Sequence, residues 1–392
     1  MGSAEVMGSA EVERASELRE LVESLARLRD GIGVLSVTIG IEPGAASGGT
    51  PAWEIALEND LRRLRHDGAV GQALERRLAA GASRLAGLLD PTTSGRGRAL
   101  YVPLELGSSS EVTLQRALPT SARVGPVAHV LPLLAALDQG EPAGLVMASR
   151  DAISVLQSEL GRTREVDRIE LEPWVGDWWP EMKGPAASNP LRGQHTVAQR
   201  DRYARRVAAA YRHTLAESPA AIGALAHDRR WTRAVLAGDP RTIEVLDEAL
   251  RDGGVATATI GANLEGLRRE DVVRRLDAAL ETLVAEQVAV HARLAVEEAA
   301  AGGRGAYGLV PVLAALAEGR VARLVIDPSR PFPGTVGAGE SLSAADEAGE
   351  RVDLTDWVVS RALTTDAAVT PVFGDAAQAL EGRGGIAALL RW

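Results

Sequence analysis

The sequence predicts an α/β fold in which mixed β-sheets pack against helices. Segments with the apolar spacing of helices alternate along the chain with short apolar runs typical of strands. The 392 residues are enough for two to three domains, each with its own hydrophobic core. No apolar run approaches the roughly twenty residues of a transmembrane helix, and no signal pattern opens the chain, so we expect a cytoplasmic protein without a membrane partner.

The composition restricts the kinds of site that the chain can hold. It has no cysteine, which excludes disulfides and thiolate metal sites. Its six histidines show no i,i+4 or His-x-Glu arrangement, so we predict no metal site. Residues 303–308 fit G-x-G-x-x-G, but a helical pattern precedes them where a dinucleotide site needs a strand. We therefore predict no cofactor.

The periodicity assigns elements to three successive parts of the chain. The first part contains predicted helices at 17–28, 52–65 and 72–89 and predicted strands at 33–39 and 99–104. The middle contains predicted strands at 144–148, 152–158, 168–171 and 219–226 and predicted helices at 196–215 and 242–250. The last part contains predicted helices at 269–301 and 309–318 and a predicted strand at 321–327.

The most distinctive stretch is a loop followed by an arginine-rich helix. Residues 174–190 hold three prolines, two glycines and three tryptophans, which indicates a loop. Leu191-Arg192-Gly193-Gln194-His195 follows, directly before the helix predicted at 196–215. Residues 192–233 carry nine arginines against three acidic residues, in a chain of net charge -10. This local basic excess favours a polyanionic partner, although codon bias toward arginine accounts for part of it.

The loop and helix resemble the middle domain of archaeo-eukaryotic class-one peptide chain release factors. The resemblance rests on Gly193-Gln194 and on the pattern Gln-Arg-Asp-Arg-Tyr-Ala-Arg-Arg-Val-Ala at 199–208. Two further regions are similar to this family in the expected order: Val-Leu-Ser-Val with Pro-Leu-Leu near the start, and Gly-Gly-Ile-Ala-Ala-Leu-Leu-Arg-Trp at the end. The chain thus resembles bacterial archaeo-eukaryotic release factors, a group of Pelota-like architecture that includes hibernation factors of the Balon type.

The resemblance implies three domains, each a mixed sheet with packed helices. An N-terminal α/β domain would cover 1–139. A ribonuclease-H-like middle domain with the Gly-Gln loop would cover 140–262. A C-terminal α-β-α domain similar to the third domain of release factors would cover 263–392.

The resemblance also implies roles for individual residues at the loop and on the helix. In the family, Gly-Gly-Gln delivers the glutamine to the ribosomal peptidyl transferase centre, so Gln194 with Gly193 would be the catalytic pair. A glutamine amide has no useful acid or base pKa and can only orient water or the reacting groups. Arg192 replaces the first glycine, and its guanidinium suits a phosphate or a base. The residues expected to bind RNA are Arg192, His195, Arg200, Arg202, Arg205, Arg206 and Arg212.

Two functions remain open at this point. The first is a ribosome-binding factor that occupies the aminoacyl-tRNA site of idle or stalled ribosomes, in hibernation or stress. The second is a rescue factor that promotes peptidyl-tRNA hydrolysis through Gln194. Reuse of the fold for an unrelated interaction is a third option, and the sequence leaves open whether an elongation-type GTPase is a partner.

Overall fold

The computed structural model describes residues 10–41, 50–66, 68–80, 88–90, 95–105, 107–149, 152–171, 213–261, 267–344 and 351–392. The chain divides into two compact units. The first comprises 1–141, 159–162 and 284–392, and the second comprises 142–158 and 163–283. Both contain sheets and helices, which confirms the predicted α/β class. The predicted domain boundaries at 139/140 and 262/263 stay a prediction.

The N-terminal part of the first unit is a five-stranded sheet with helices. Its strands are β1 (Ala10–Glu11), β2 (Arg29–Gly40), β3 (Gly97–Pro103), β4 (Ser110–Leu114) and β5 (Ser121–Val127), in the spatial order β1-β4-β3-β2-β5. Its helices are α1 (Ala15–Ala26), α2 (Ala52–Arg65), α3 (Gly68–Ala80) and α4 (Leu131–Gln139). β1 pairs with β4 in parallel, and the other strand pairs are antiparallel.

β2 lies between β3 and β5, and its residues 33–39 are buried on both faces of the sheet. Leu35, Val37 and Ile39 pack in one core cluster with α2 and α3. Val34 belongs to a second cluster that includes α1 and α4. Apolar and hydroxyl side chains alternate over 35–39, and the hydroxyl residues are buried as well.

The C-terminal part of the first unit is built around a four-stranded sheet of order β11-β17-β12-β16. Its strands are β11 (Gly305–Tyr307), β12 (Val321–Ile326), β16 (Ala368–Pro371) and β17 (Ile386–Leu390). A small sheet of order β14-β13-β15 joins β13 (Pro333–Val336), β14 (Leu342–Ser343) and β15 (Val352–Asp353). The helices are α7 (Arg269–Ala300), α8 (Leu309–Ala317) and α9 (Thr355–Thr364), and the unit boundary falls within α7.

The N-terminal and C-terminal parts of the first unit share a single hydrophobic core. One cluster contains Leu18 of α1, Leu133 of α4, Val312 of α8 and Val358 of α9. Polar contacts join the same parts, because the Arg29 guanidinium donates to both carboxylate oxygens of Glu340 at 2.8 and 3.3 Å. Residues more than three hundred positions apart therefore fold together.

The second unit is a five-stranded sheet of order β10-β9-β6-β7-β8. Its strands are β6 (Ala143–Ala148), β7 (Ala152–Glu159), β8 (Arg162–Glu170), β9 (Arg233–Gly238) and β10 (Ala256–Ile260). β6, β9 and β10 run parallel, whereas β7 is antiparallel to β6. Its described helices include α5, helical over residues 213–228, and α6 (Pro240–Asp252), and the first part of α7 also belongs to this unit.

One sequence prediction in the second unit is wrong. The predicted strand at 219–226 lies within the helix α5. Ser218, Ile222 and Ala226 are its buried positions, four residues apart, which is the spacing of one helix face. A short apolar run does not distinguish a buried strand from a helix, and here the four-residue period decides.

Candidate functional site

All site residues that the sequence predicts lie outside the described residues. They are Arg192, Gly193, Gln194, His195, Arg200, Arg202, Arg205, Arg206 and Arg212. The structure does describe the elements that precede and follow them in the chain, namely β8 and α5.

β8 is the support on the N-terminal side of the predicted loop. It is an edge strand, with β7 as its neighbour, and most of its side chains face solvent. The Arg168 guanidinium donates to Glu170 at 2.6 Å, and this hydrogen bond raises the pKa of Arg168 above its ordinary value. Leu171, the last described residue before the loop, is buried in the core of the second unit. The chain thus leaves the sheet from an anchored position.

α5 is the support on the C-terminal side. Ile222 and Ala226 bury one of its faces in the same core that holds Leu171. At its start, the exposed His213 and Glu217 face each other one turn apart at 3.3 Å. α5 is therefore packed on the sheet of the second unit over the residues that the structure describes.

The C-terminus of α5 closes with an arginine in a left-handed conformation. The Trp231 N–H donates to Ala226 O at 2.9 Å and the Arg230 N–H donates to His227 O at 3.0 Å, which is the hydrogen-bond pattern of a Schellman motif. The motif needs a positive φ at its penultimate residue, and Arg230 has a φ of 55°. Glycine is usually found at this position, because a positive φ is strained for a residue with a side chain. Arg230 adopts it nonetheless, and its side chain is exposed.

Burial removes one of the nine arginines of residues 192–233 from the charged surface. Arg233 lies on β9 and is 4% exposed, so it adds little to the charged surface. Arg229 and Arg230, at the end of α5, are the described arginines of this window that reach solvent. The other six arginines lie between 192 and 212. Those six arginines lie outside the described residues.

The loop between β9 and α6 is locked by its own hydrogen bonds. Asp239 caps α6, because its carboxylate accepts from the Thr242 N–H at 3.0 Å and from the Thr242 hydroxyl at 3.1 Å. The Asp239 carboxylate and the two Thr242 donors are therefore hydrogen-bonded to each other and stabilise the start of α6. Within the part of the chain that the structure describes, no cluster of histidine and acidic side chains could hold a metal ion.

No helix among the described residues is both long and apolar enough to cross a membrane.

The family comparison covers the middle of the chain. The model of the bacterial archaeo-eukaryotic release factor family 10 matches residues 129–302, somewhat less than half of the chain. The match contains the second unit, the predicted loop and the predicted arginine helix, and it confirms the predicted resemblance to this family. No curated protein is significantly similar in sequence to the chain.

Solved structures with similarity to the chain include proteins of translation. An archaeal translation termination factor, aRF1, is 19% identical, with 97% of this chain and 99% of that chain covered and a TM-score of 0.24. Ribosome-bound archaeal Pelota, described with ABCE1, is 14% identical, with coverages of 98% and 95% and a TM-score of 0.41. Dom34 of S. cerevisiae is 11% identical, with coverages of 75% and 80% and a TM-score of 0.38. Identities and TM-scores this low do not indicate a function for this chain.

Proposed function

Because residues 129–302 match a family of release factors, we propose that this chain is a ribosome-binding translation factor. It would occupy the aminoacyl-tRNA site of idle or stalled ribosomes, as a hibernation or stress factor. The loop Arg192-Gly193-Gln194 would be directed to the peptidyl transferase centre. The observation that carries this proposal is that the family match spans the loop and the arginine segment together.

Charge supports an RNA partner at this one place. The chain has a net charge of -10, whereas residues 192–212 hold six arginines and one acidic residue. Arginine suits phosphate recognition because its planar guanidinium donates several hydrogen bonds in a fixed geometry. We therefore expect ribosomal RNA to contact the chain at this segment.

Arg192 favours binding over hydrolysis. Glycine lets a backbone adopt conformations that other residues avoid and lets it come close to RNA. An arginine in place of the first glycine restricts the tip and adds a phosphate-binding group. We therefore propose ribosome binding as the function and peptidyl-tRNA hydrolysis as the alternative.

The first experiment is co-sedimentation of the purified chain with ribosomes over a range of salt concentrations. The test variant replaces Arg200, Arg202, Arg205 and Arg206 with glutamine. A charge-matched control replaces four exposed helical arginines of the N-terminal part with glutamine, namely Arg62, Arg63, Arg65 and Arg76.

Phosphate contacts predict that binding falls with salt and that the test variant has a shallower slope, by about 0.7–0.9 for each phosphate that the variant no longer neutralises. The control should keep the slope of the natural chain. A chain that stays in the supernatant even at low salt would refute the proposal, and equal slopes for both variants would refute the role of the arginine segment.

The alternative function is ribosome rescue through hydrolysis of peptidyl-tRNA. A release assay with ribosomes that carry labelled peptidyl-tRNA separates the two. The binding function predicts no release by the natural chain and gain of release in Arg192→Gly. Release by the natural chain that is abolished in Gln194→Ala would instead establish rescue.

A partnership with an elongation-type GTPase is a further part of the proposal. Addition of such a GTPase with GTP to the sedimentation assay is expected to increase the ribosome-bound fraction. Equal bound fractions with and without the GTPase would exclude this partner.

A further inference from the structure

The first unit contains a pocket at the side of α4. Its volume is about 290 Å³, near the lower end of the range for small-molecule sites. One wall is a single face of α4, from Leu131 to Gln139. The opposite wall is formed by residues 116–119 and by Arg123 of β5, and Pro328 and Phe373 complete the lining. We call it the α4 pocket.

The charged side chains that line the α4 pocket are both basic, namely Arg116 and Arg123, and no carboxylate lines it. The His129 imidazole lies beside them. The Arg116 Nε–H donates to Gln139 Oε1 at 2.9 Å, which orients the guanidinium from the α4 side. Arg123 is exposed, and its charge also acts on the Asp353 carboxylate, whose pKa it lowers. Such a lining suits an anion.

The nearby carboxylates are committed to other partners. Asp356 Oδ1 lies 2.6 Å from Nδ1 of His129, and neither oxygen of Asp356 lines the pocket. Asp353 Oδ1 accepts from the Phe332 and Thr355 backbone N–H groups at 3.1 and 3.0 Å. Neither carboxylate is therefore among the residues that line the pocket.

The remaining lining is apolar and ends in an exposed aromatic ring. Leu118, Pro119, Leu131 and Pro132 provide flat apolar surface. Phe373 is 51% exposed, which is unusual for a phenylalanine side chain. A ligand of matching chemistry has an anionic group at one end and a planar, weakly polar body at the other.

We propose that the α4 pocket binds a mononucleotide. Arg116 and Arg123 bind its phosphate, and the base lies against the apolar wall and stacks on Phe373. Aromatic rings and guanidinium groups are the usual partners of unpaired bases, and arginine is the usual partner of phosphate. The nucleotide is either a free molecule or one residue of an RNA strand. This site does not depend on the function proposed above, because none of its residues lies in 192–212.

The test is isothermal titration of the full chain with AMP, GMP, CMP and UMP, and with adenosine and inorganic phosphate as separate halves of the ligand. A mononucleotide should bind, and each half should bind at least about tenfold more weakly, because it lacks either the base contact or the charged hydrogen bonds. Absence of binding by every mononucleotide would overturn the proposal. An aryl carboxylate is titrated for comparison, and tighter binding of it than of any mononucleotide would also overturn the proposal.

Variants assign the binding to the pocket. Arg116→Gln and Arg123→Gln should each weaken mononucleotide binding about tenfold or more. Arg19→Gln, an exposed arginine of the same unit paired with Glu141, is the matched control and should not. Ala135→Trp fills the pocket without a change of charge and should abolish binding. Unchanged affinity in all three pocket variants would overturn the assignment, and thermal unfolding of each variant verifies that it is folded.

Two further measurements complete the assignment. Phe373→Ala should weaken binding of the mononucleotide but not of inorganic phosphate, whereas Tyr307→Ala, an exposed aromatic outside the pocket, should change neither. Equal effects of these two variants would exclude stacking on Phe373.

A short single-stranded RNA that binds more tightly than its mononucleotide, and no longer binds in Ala135→Trp, identifies RNA as the source. Equal affinities identify the free nucleotide.

Discussion

Gly144 is the position at which a single added methyl group tests the packing of the second unit most directly. It lies in β6, the central strand, and pairs with Ala234 of β9 on one side and Gln157 of β7 on the other. The indole ring of Trp231 covers it, and Trp231 is itself buried. Gly144→Ala therefore adds volume where neither the strand nor the ring has free space.

The expected magnitude follows from the distances. A Cβ atom on Gly144 would lie 2.3 Å from Cζ3 and 2.4 Å from Cε3 of Trp231. Carbon atoms in contact are about 3.5–4.0 Å apart, so the ring must shift by roughly 1.2 Å or more. Overpacking of this kind costs about 1–3 kcal/mol, and the lower entropy of an unfolded chain with alanine recovers about 0.4–1 kcal/mol. We expect a net loss of about 0.5–2 kcal/mol in the free energy of unfolding of the second unit.

Gly223→Ala is the matched control in the same unit. Gly223 lies within α5, and a Cβ atom there would meet no other atom within 4 Å. Alanine in a helix interior is more favourable than glycine by about 0.8–1.0 kcal/mol, so this variant should be more stable than the natural chain. The same chemical change thus has opposite expected signs at two glycines.

Hydrogen exchange of the full chain, followed by mass spectrometry of its peptides, is the suitable assay. Because the chain has two compact units, a single unfolding transition cannot be assumed, and exchange reports on each unit separately. Gly144→Ala should speed exchange in peptides of β6 and β9, whereas peptides of β12 in the first unit serve as an internal reference. A Gly144→Ala chain as protected as the natural one would refute the described packing of Trp231 on β6.

Two further predictions concern a helix end and acid stability. Arg230→Gly should stabilise the second unit by about 1 kcal/mol, because it removes a left-handed non-glycine residue from the end of α5. Hydrogen exchange in the peptides of α5 should become slower, and unchanged exchange would contradict this role of Arg230. Burial alone would raise the pKa of Asp353, but hydrogen bonds from the Thr355 hydroxyl and from the Phe332 and Thr355 N–H groups, with the charge of Arg123, hold this pKa below its ordinary value. A carboxyl with a lowered folded-state pKa contributes stability above its unfolded pKa of about 3.9 and loses it as the pH falls through the folded pKa. Asp353→Asn should therefore be less stable than the natural chain above roughly pH 5, and the difference should close in more acidic buffer; a difference that is independent of pH would contradict this role of Asp353.

Local patterns in the sequence predict most of the elements that the structure describes. The helix predicted at 52–65 has the bounds of α2, and the strand predicted at 33–39 lies within β2. These segments are predictable because one face or both faces are apolar over their whole length. The strand prediction at 219–226 is wrong because this run is short and apolar, and its helical period becomes clear only with the burial of Ile222 and Ala226.

Some features of the candidate site can be predicted from the sequence, and others only from the structure. The composition of 174–190 and the charge of 192–212 are properties of the sequence, and they indicate a loop and a basic helix without any coordinates. The burial of Arg233, which removes it from the basic surface, depends on its place in β9 and is invisible in the charge count. The left-handed conformation of Arg230 was equally unpredictable, because glycine is the residue that normally marks such a helix end.

The sequence by itself determined the α/β class, the order of most elements and the position of the basic segment, because each depends on residues that are neighbours in the chain. Tertiary structure alone decided which distant residues meet. His129 lies beside Asp356, Arg29 beside Glu340, and Arg116 and Phe373 line one pocket. Such pairs are separated by more than two hundred residues, and no local pattern records them. They arise because the N-terminal and C-terminal parts of the first unit bury their apolar faces in one core, which brings their polar edges together.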